Sequence, residues 1–124
     1  MAIIQRGALE AVIASYSGTG ADVILDLGFI PAHAEAVDVT SGSNWWWWNS
    51  GMSSTTAAAS QAVWGVIATN DTATGGGFTT ISRGTGGIVP LDGSAGTGIG
   101  LTIGTNTAIN VASHAYIVTA WQLH

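Results

Sequence analysis

Residues 41–51 read "SGSNWWWWNSG", four consecutive tryptophans bounded on both sides by Ser, Gly and Asn. This run constrains the fold more than any other feature. In a strand, successive side chains point to opposite faces. Trp45 and Trp47 then face one way, and Trp46 and Trp48 the other. One pair enters the protomer core; the second is exposed or buried against another chain. Each covered Trp buries ~150–250 Å². At ~25 cal/mol per Å² that is several kcal/mol as an upper bound. A pair left in water forfeits this and invites aggregation. Three uses are open. All four indoles pack inside one small domain, or one pair packs inside and the other against a neighbouring subunit, or the run is a platform on which sugar rings stack beside Asn44 and Asn49. The second is the expectation carried forward.

The rest of the chain has the same grain. Short β-type runs alternate with Gly/Ser/Thr/Asn clusters, and no stretch shows a capped 3.6-residue stripe. Strands are expected in "ALEAVIASY" (8–16), "DVILDLGF" (22–29), "HAEAVDVT" (33–40), "AVWGVIAT" (62–69), "GGIVPLDG" (86–93), "GLTIGT" (100–105) and "SHAYIVTAWQ" (113–122). In the second, Val23, Leu25, Leu27 and Phe29 share one face and Asp22, Ile24 and Asp26 the other. In the third, Val37 and Val39 are expected inward and Asp38 outward. Pro31 ends a ladder because it has no N–H to donate, and Pro90 marks an edge or a strand end. The last two segments read as a terminal hairpin or pair. In the final one both faces are fairly apolar, which suits a central or doubly covered strand. Residues 70–87 read as a long Gly-rich loop with a short strand near Phe78–Ile81, and residues 1–7 as an arm. No internal repeat or domain boundary stands out. The chain is read as one all-β domain, an antiparallel β-sandwich or jelly-roll-like barrel.

Composition narrows the partners. Of 124 residues, 47% are hydrophobic and 7% charged, against about 25% charged in ordinary soluble domains. Such a surface is expected to be partly covered by partners. Only Arg6 and Arg83 are basic, against seven acidic residues, so nucleic acid and anionic membranes are not expected partners. With no cysteine, disulfides and thiolate metal sites are excluded. "MAIIQRGALE" lacks the pattern of a secretory signal, and no apolar run approaches the ~20 residues of a membrane-spanning helix. The chain reads as made in the cytosol and unprocessed.

Residue chemistry points away from catalysis and cofactors. His33, His114 and His124 form no local pair and no H-x-H or H-E-x-x-H pattern. Asp22 and Asp26, four apart on one strand face, are ~13 Å apart, too wide for a glycosidase-type pair at roughly 5–10 Å. "NDT" (70–72) and "LDG" (91–93) are turn chemistry, and neither shows the D-x-D-x-D-G of a calcium loop. "GTGIG" (96–100) lacks the Lys and helix of a phosphate cradle, and no G-x-S-x-G occurs.

In order, "DVILDLGFIPAHAEAVDVT", an aromatic cluster ending in "GM", "VIAT" with a Gly-rich stretch, and "GLTIGTNTAINVASHAYIVTAW" resemble a family of small structural proteins of tailed bacteriophages. The resemblance rests on Leu27, Gly28, Phe29 and Pro31; on Trp45–Trp48 with Gly51 and Met52; on Gly100 to Asn106 with Ile109 and Asn110; and on Tyr116, Ala120 and Trp121. The unbroken Trp run is a departure, since fewer aromatics are expected there. The resemblance implies a β-rich virion component, a capsid decoration (cement) protein on the outer head surface, with a tail or fibre-tip module binding host surface glycan as the alternative. Expected partners are copies of itself, as a homotrimer, and the major capsid protein. Expected interface residues are Trp45, Trp46, Trp47, Trp48, Met52, Arg6, Arg83 and Phe78. The N-terminal arm is expected to add to a neighbour's sheet.

Overall fold

A computed structural model describes residues 9–53, 61–69, 77–94 and 96–123. Among the described residues nine strands follow in order: β1 (Leu9–Ser17), β2 (Val23–Asp26), β3 (His33–Asp38), β4 (Asn44–Asn49), β5 (Val63–Thr69), β6 (Gly77–Ser82), β7 (Ile88–Asp92), β8 (Ile99–Ile103) and β9 (Ala115–Leu123). They form two antiparallel sheets, one of six strands in the order β1-β9-β3-β4-β5-β6 and one of three in the order β2-β8-β7. Every pairing is antiparallel, the sheets do not close into a barrel, and the described residues contain no helix. The architecture is that of a β-sandwich.

The meander β3-β4-β5-β6 supplies four of the six strands of the large sheet, and the first and last described strands, β1 and β9, pair to complete it. Both segments expected from "GLTIGT" and "SHAYIVTAWQ" are strands, but they do not form a hairpin. β8 pairs with β2 and β7, while β9 lies between β1 and β3 in the other sheet. The connection between them carries the chain from one layer to the other. Within the expected 70–87 loop, residues 77–82 are β6; residues 70–76 and the expected arm at 1–7 lie outside the described residues.

The inner face of the large sheet follows from size matching across strands. Trp48 stands opposite Ala34, and Trp46 opposite Ala36. On the far side Ala34 meets Ala120, and Ala36 meets Val118. Two methyl side chains leave the volume that the two indoles fill, so large and small alternate in one layer. Leu25, Leu101, Ile103 and Ile88 of the small sheet complete the core.

β3 is inverted relative to the expectation for Val37, Asp38 and Val39, and Val37 lies half-buried on the outward face. Asp38 is fully buried, and Val39 is 51% exposed. The alanines explain it. Ala34 and Ala36 must face Trp48 and Trp46, and period two then takes Asp38 inward with them. The buried carboxylate is satisfied there. Its Oδ2 lies 2.6 Å from Nδ1 of His114, and its Oδ1 accepts from the amides of Thr40 and Ser41, each at 3.0 Å. Burial opposes its ionisation, but the hydrogen bonds from His114 and Ser41 outweigh it and hold the carboxyl below the ordinary Asp value.

The segment "GLTIGTNTAIN" is explained by the packing of the small sheet. A Cβ at Gly100 would overlap the Leu25 carbonyl, and one at Gly104 the Gly86 carbonyl, so β8 approaches its neighbours as only glycine allows. Leu101, Ile103 and Ile109 are buried. Asn110 clamps the turn after β1. Its Oδ1 accepts from Thr19 N at 2.7 Å, and its Nδ2 donates to the carbonyls of Ala21 and Gly104 at 2.6 and 2.9 Å. Pro90 sits in β7, the edge of the small sheet, where a missing N–H costs least.

Candidate functional site

The four tryptophans divide as period two requires. Trp46 and Trp48 are buried; Trp45 is 41% exposed and Trp47 half-buried on the opposite face. The buried pair satisfies its polar atoms through two hydroxyl relays. Trp46 Nε1 donates to the Tyr16 hydroxyl at 2.8 Å, which donates to the Ile109 carbonyl at 2.7 Å. Trp48 Nε1 donates to Ser53 Oγ at 2.7 Å, which donates to the Ile88 carbonyl at 2.7 Å. Burial pushes the Tyr16 phenol far above its ordinary value, so it remains protonated and able to donate. Its ring stacks on Tyr116, with centroids 4.7 Å apart and planes 6° from parallel.

The outward pair has different company. Read across the large sheet, one row runs Ser15, Ile117, Val37, Trp45, Ala68 and Phe78. The next runs Ile13, Thr119, Glu35, Trp47, Val66 and Thr80. Two strips of neighbouring residues therefore present an aromatic and aliphatic band on the open side of the sheet. Trp47 and Phe78 meet edge-on, with centroids 5.4 Å apart and planes at 77°, a favourable geometry for aromatic pairs. Phe78 is nonetheless 77% exposed, and Ile13 and Ile117 are exposed as well.

A groove of about 380 Å³ lies in this band, flanked by Trp45 and Trp47 on one side and by Ile117 and Thr119 on the other, with Glu35 and Val37 between. Glu35 stands directly opposite Trp47 on β4 and Thr119 on β9. Its carboxylate is exposed and touches His33, Nε2 to Oε2 at 3.3 Å. His33 in turn packs against the Trp121 ring at 5.2 Å.

Of the expected interface residues, the structure gathers Trp45, Trp47 and Phe78 on this one face. Trp46 and Trp48 belong to the interior, and Met52 packs against the core. Arg83 is exposed in the turn after β6, where its amide donates to the Ala62 carbonyl. Arg6 lies outside the described residues. Glu35, Val37, Ile117 and Thr119 were not singled out from sequence. Strand alternation within each segment could have marked them as one face, but their pairing across three strands is not visible along the chain.

Among the described residues, no three His, Cys, Asp or Glu side chains gather as a metal site requires. His114 is committed to Asp38, and His124 lies outside the described residues. Asp26 is taken up by backbone, accepting from the amides of Ile99 and Gly28 at 3.2 and 3.3 Å. No described helix is long and apolar enough to cross a membrane.

The fold and this face define a two-layer all-β protein with an outward aromatic band. Compared with models of protein families, with curated proteins and with solved structures, the chain finds no match in any of the three.

Proposed function

We propose that the protein is a structural component of a phage particle, a decoration (cement) protein that attaches to the outer surface of the head and bridges capsomers. The observation that carries this reading is the outward band of Trp45, Trp47, Phe78 and Ile117, apolar surface that a lone protomer leaves in water. The resemblance of the "LGF-x-P" and "GLTIGT" segments to phage structural proteins supports it. Attachment works by burying this band, repeated by symmetry, and the protein assembles as a homo-oligomer, a trimer. The reading assigns no catalysis and no cofactor.

The test is a Trp45→Ala/Trp47→Ala double variant incubated with heads that lack the protein. The wild type is expected to bind at a copy number on the scale of the capsomers, and the folded variant to stay in solution. Undiminished binding of the variant would overturn the reading. A second reading, a tail or fibre-tip module for host glycan, is favoured by one feature, the polar Glu35 and Thr119 beside exposed indole faces. It requires few copies per particle and binding of a saccharide that Trp45→Ala abolishes.

A further inference from the structure

The groove beside Trp45 and Trp47 has an electrostatic demand that the docking reading does not meet by itself. Among the described residues, Glu35 is the only ionisable one that lines it. Any partner that seals the band takes this carboxylate out of water, which is costly unless a counter-charge arrives with the partner. His33 engages one oxygen, Oε2, at 3.3 Å; among the described residues Oε1 accepts no hydrogen bond. The walls suit a cation. Trp47 stands directly across from Glu35 and Trp45 diagonally across. Cross-strand and diagonal neighbours lie about 5 and 7–8 Å apart, which brings both indoles within reach of a cation held on the carboxylate, as a cation–π contact requires. The aliphatic stem of a long basic side chain matches Val37 and Ile117, which line the same groove.

The chain is a poor source of that cation. It has no lysine and two arginines in 124 residues, with a net charge of −5. From the shape and charge of the groove, we infer that it is a receptor for one arginine or lysine side chain projecting from a different protein, seated between Trp45 and Trp47 with its head on Glu35. This rests on the docking reading for its biological partner, but the receptor is testable without any particle.

The probe is Nα-acetyl-arginine methylamide, compared with the citrulline analogue, which has the same shape and no charge. Both are titrated into the wild-type protein while indole N–H resonances are followed by NMR. The arginine compound is expected to shift the Trp45 and Trp47 signals saturably and leave those of Trp46 and Trp48 in place. The citrulline compound is expected to bind roughly fivefold or more weakly. Glu35→Gln, a change at an exposed position, is expected to reduce the arginine affinity to that of citrulline. Equal binding of the two compounds, unchanged arginine binding by Glu35→Gln, or perturbation of the same indoles by methyl glucoside and not by arginine would each overturn the inference. Head binding is a separate readout. A protein that binds arginine but not heads retains the receptor and loses the decoration reading; one that binds heads but not arginine does the reverse.

Discussion

Trp46 and Trp48 differ from Trp45 and Trp47 in what stands opposite them and in little else. They share a strand of six residues, Asn44–Asn49, and the same local backbone. The inner pair is fitted against Ala34 and Ala36, and each indole N–H is handed to a hydroxyl that hands its own hydrogen to a main-chain carbonyl, that of Ile88 on β7 or that of Ile109 in the connection between β8 and β9. The outer pair has a ring edge, a carboxylate and open space. A tryptophan's contribution is thus set by what stands opposite it, since area, packing and hydrogen bonding are all supplied by neighbours. The inner pair serves the fold; the outer pair serves whatever covers it.

The strongest test of that contrast is Trp48→Ala. It removes a fully buried indole and leaves Ser53 without its donor, so a loss of about 3–5 kcal/mol is expected in urea unfolding. Trp45→Ala is expected to cost no more than about 1–2 kcal/mol by the same measurement, because much of that side chain is already in water. Equal losses in the two variants would erase the distinction between the faces.

Acid sharpens the picture of the inner face, which also carries Asp38. Its carboxyl is held below its ordinary value in the folded state. The stability this contributes is fully present above the unfolded value of about 3.9 and is lost as pH falls through the folded value. Asp38→Asn is therefore expected to be less stable at neutral pH and to show a shallower decline between about pH 5 and 2. Urea midpoints across that range check it; parallel curves would remove Asp38 from the acid response. The exposed Asp92, also held low by Ser94, adds a slope common to both proteins.

Smaller effects separate hydrogen bonding from bulk. Trp46→Phe keeps most of the ring and deletes the donor to Tyr16, for an expected loss of about 1 kcal/mol. Trp64 on β5 is the internal control. Its indole N–H is buried with no hydrogen-bond partner among the described residues. Trp64→Phe is expected to be neutral or mildly stabilising, since it removes an unsatisfied donor. A thermal melt distinguishes the two variants.

Much of this was legible in the sequence because it depends on local period. The split of the four indoles, the inward Leu25 and the edge position of Pro90 all follow from two-residue alternation and proline chemistry. The inward position of Asp38 is hidden in the sequence because its charge argues for solvent and the flanking alanines argue for neither face; small side chains carry no apolar signal until the tryptophans they accommodate are known. Its partner His114 lies 76 positions away, beyond any local pattern. The terminal hairpin failed for a related reason. β8 and β9 are adjacent in sequence, but Asn110 ties the segment between them to the turn after β1, which sends β9 to the opposite layer. The Glu35 groove needs three strands in register, and no single segment reveals it.

Both relays from the buried indoles end on main-chain oxygens, those of Ile88 and Ile109. Because every amino acid carries that atom, these two anchors do not depend on which side chains occupy positions 88 and 109. Descendants of this chain are free to exchange those isoleucines for other greasy residues, whereas Tyr16 and Ser53, which supply the hydroxyls, have far less room to drift.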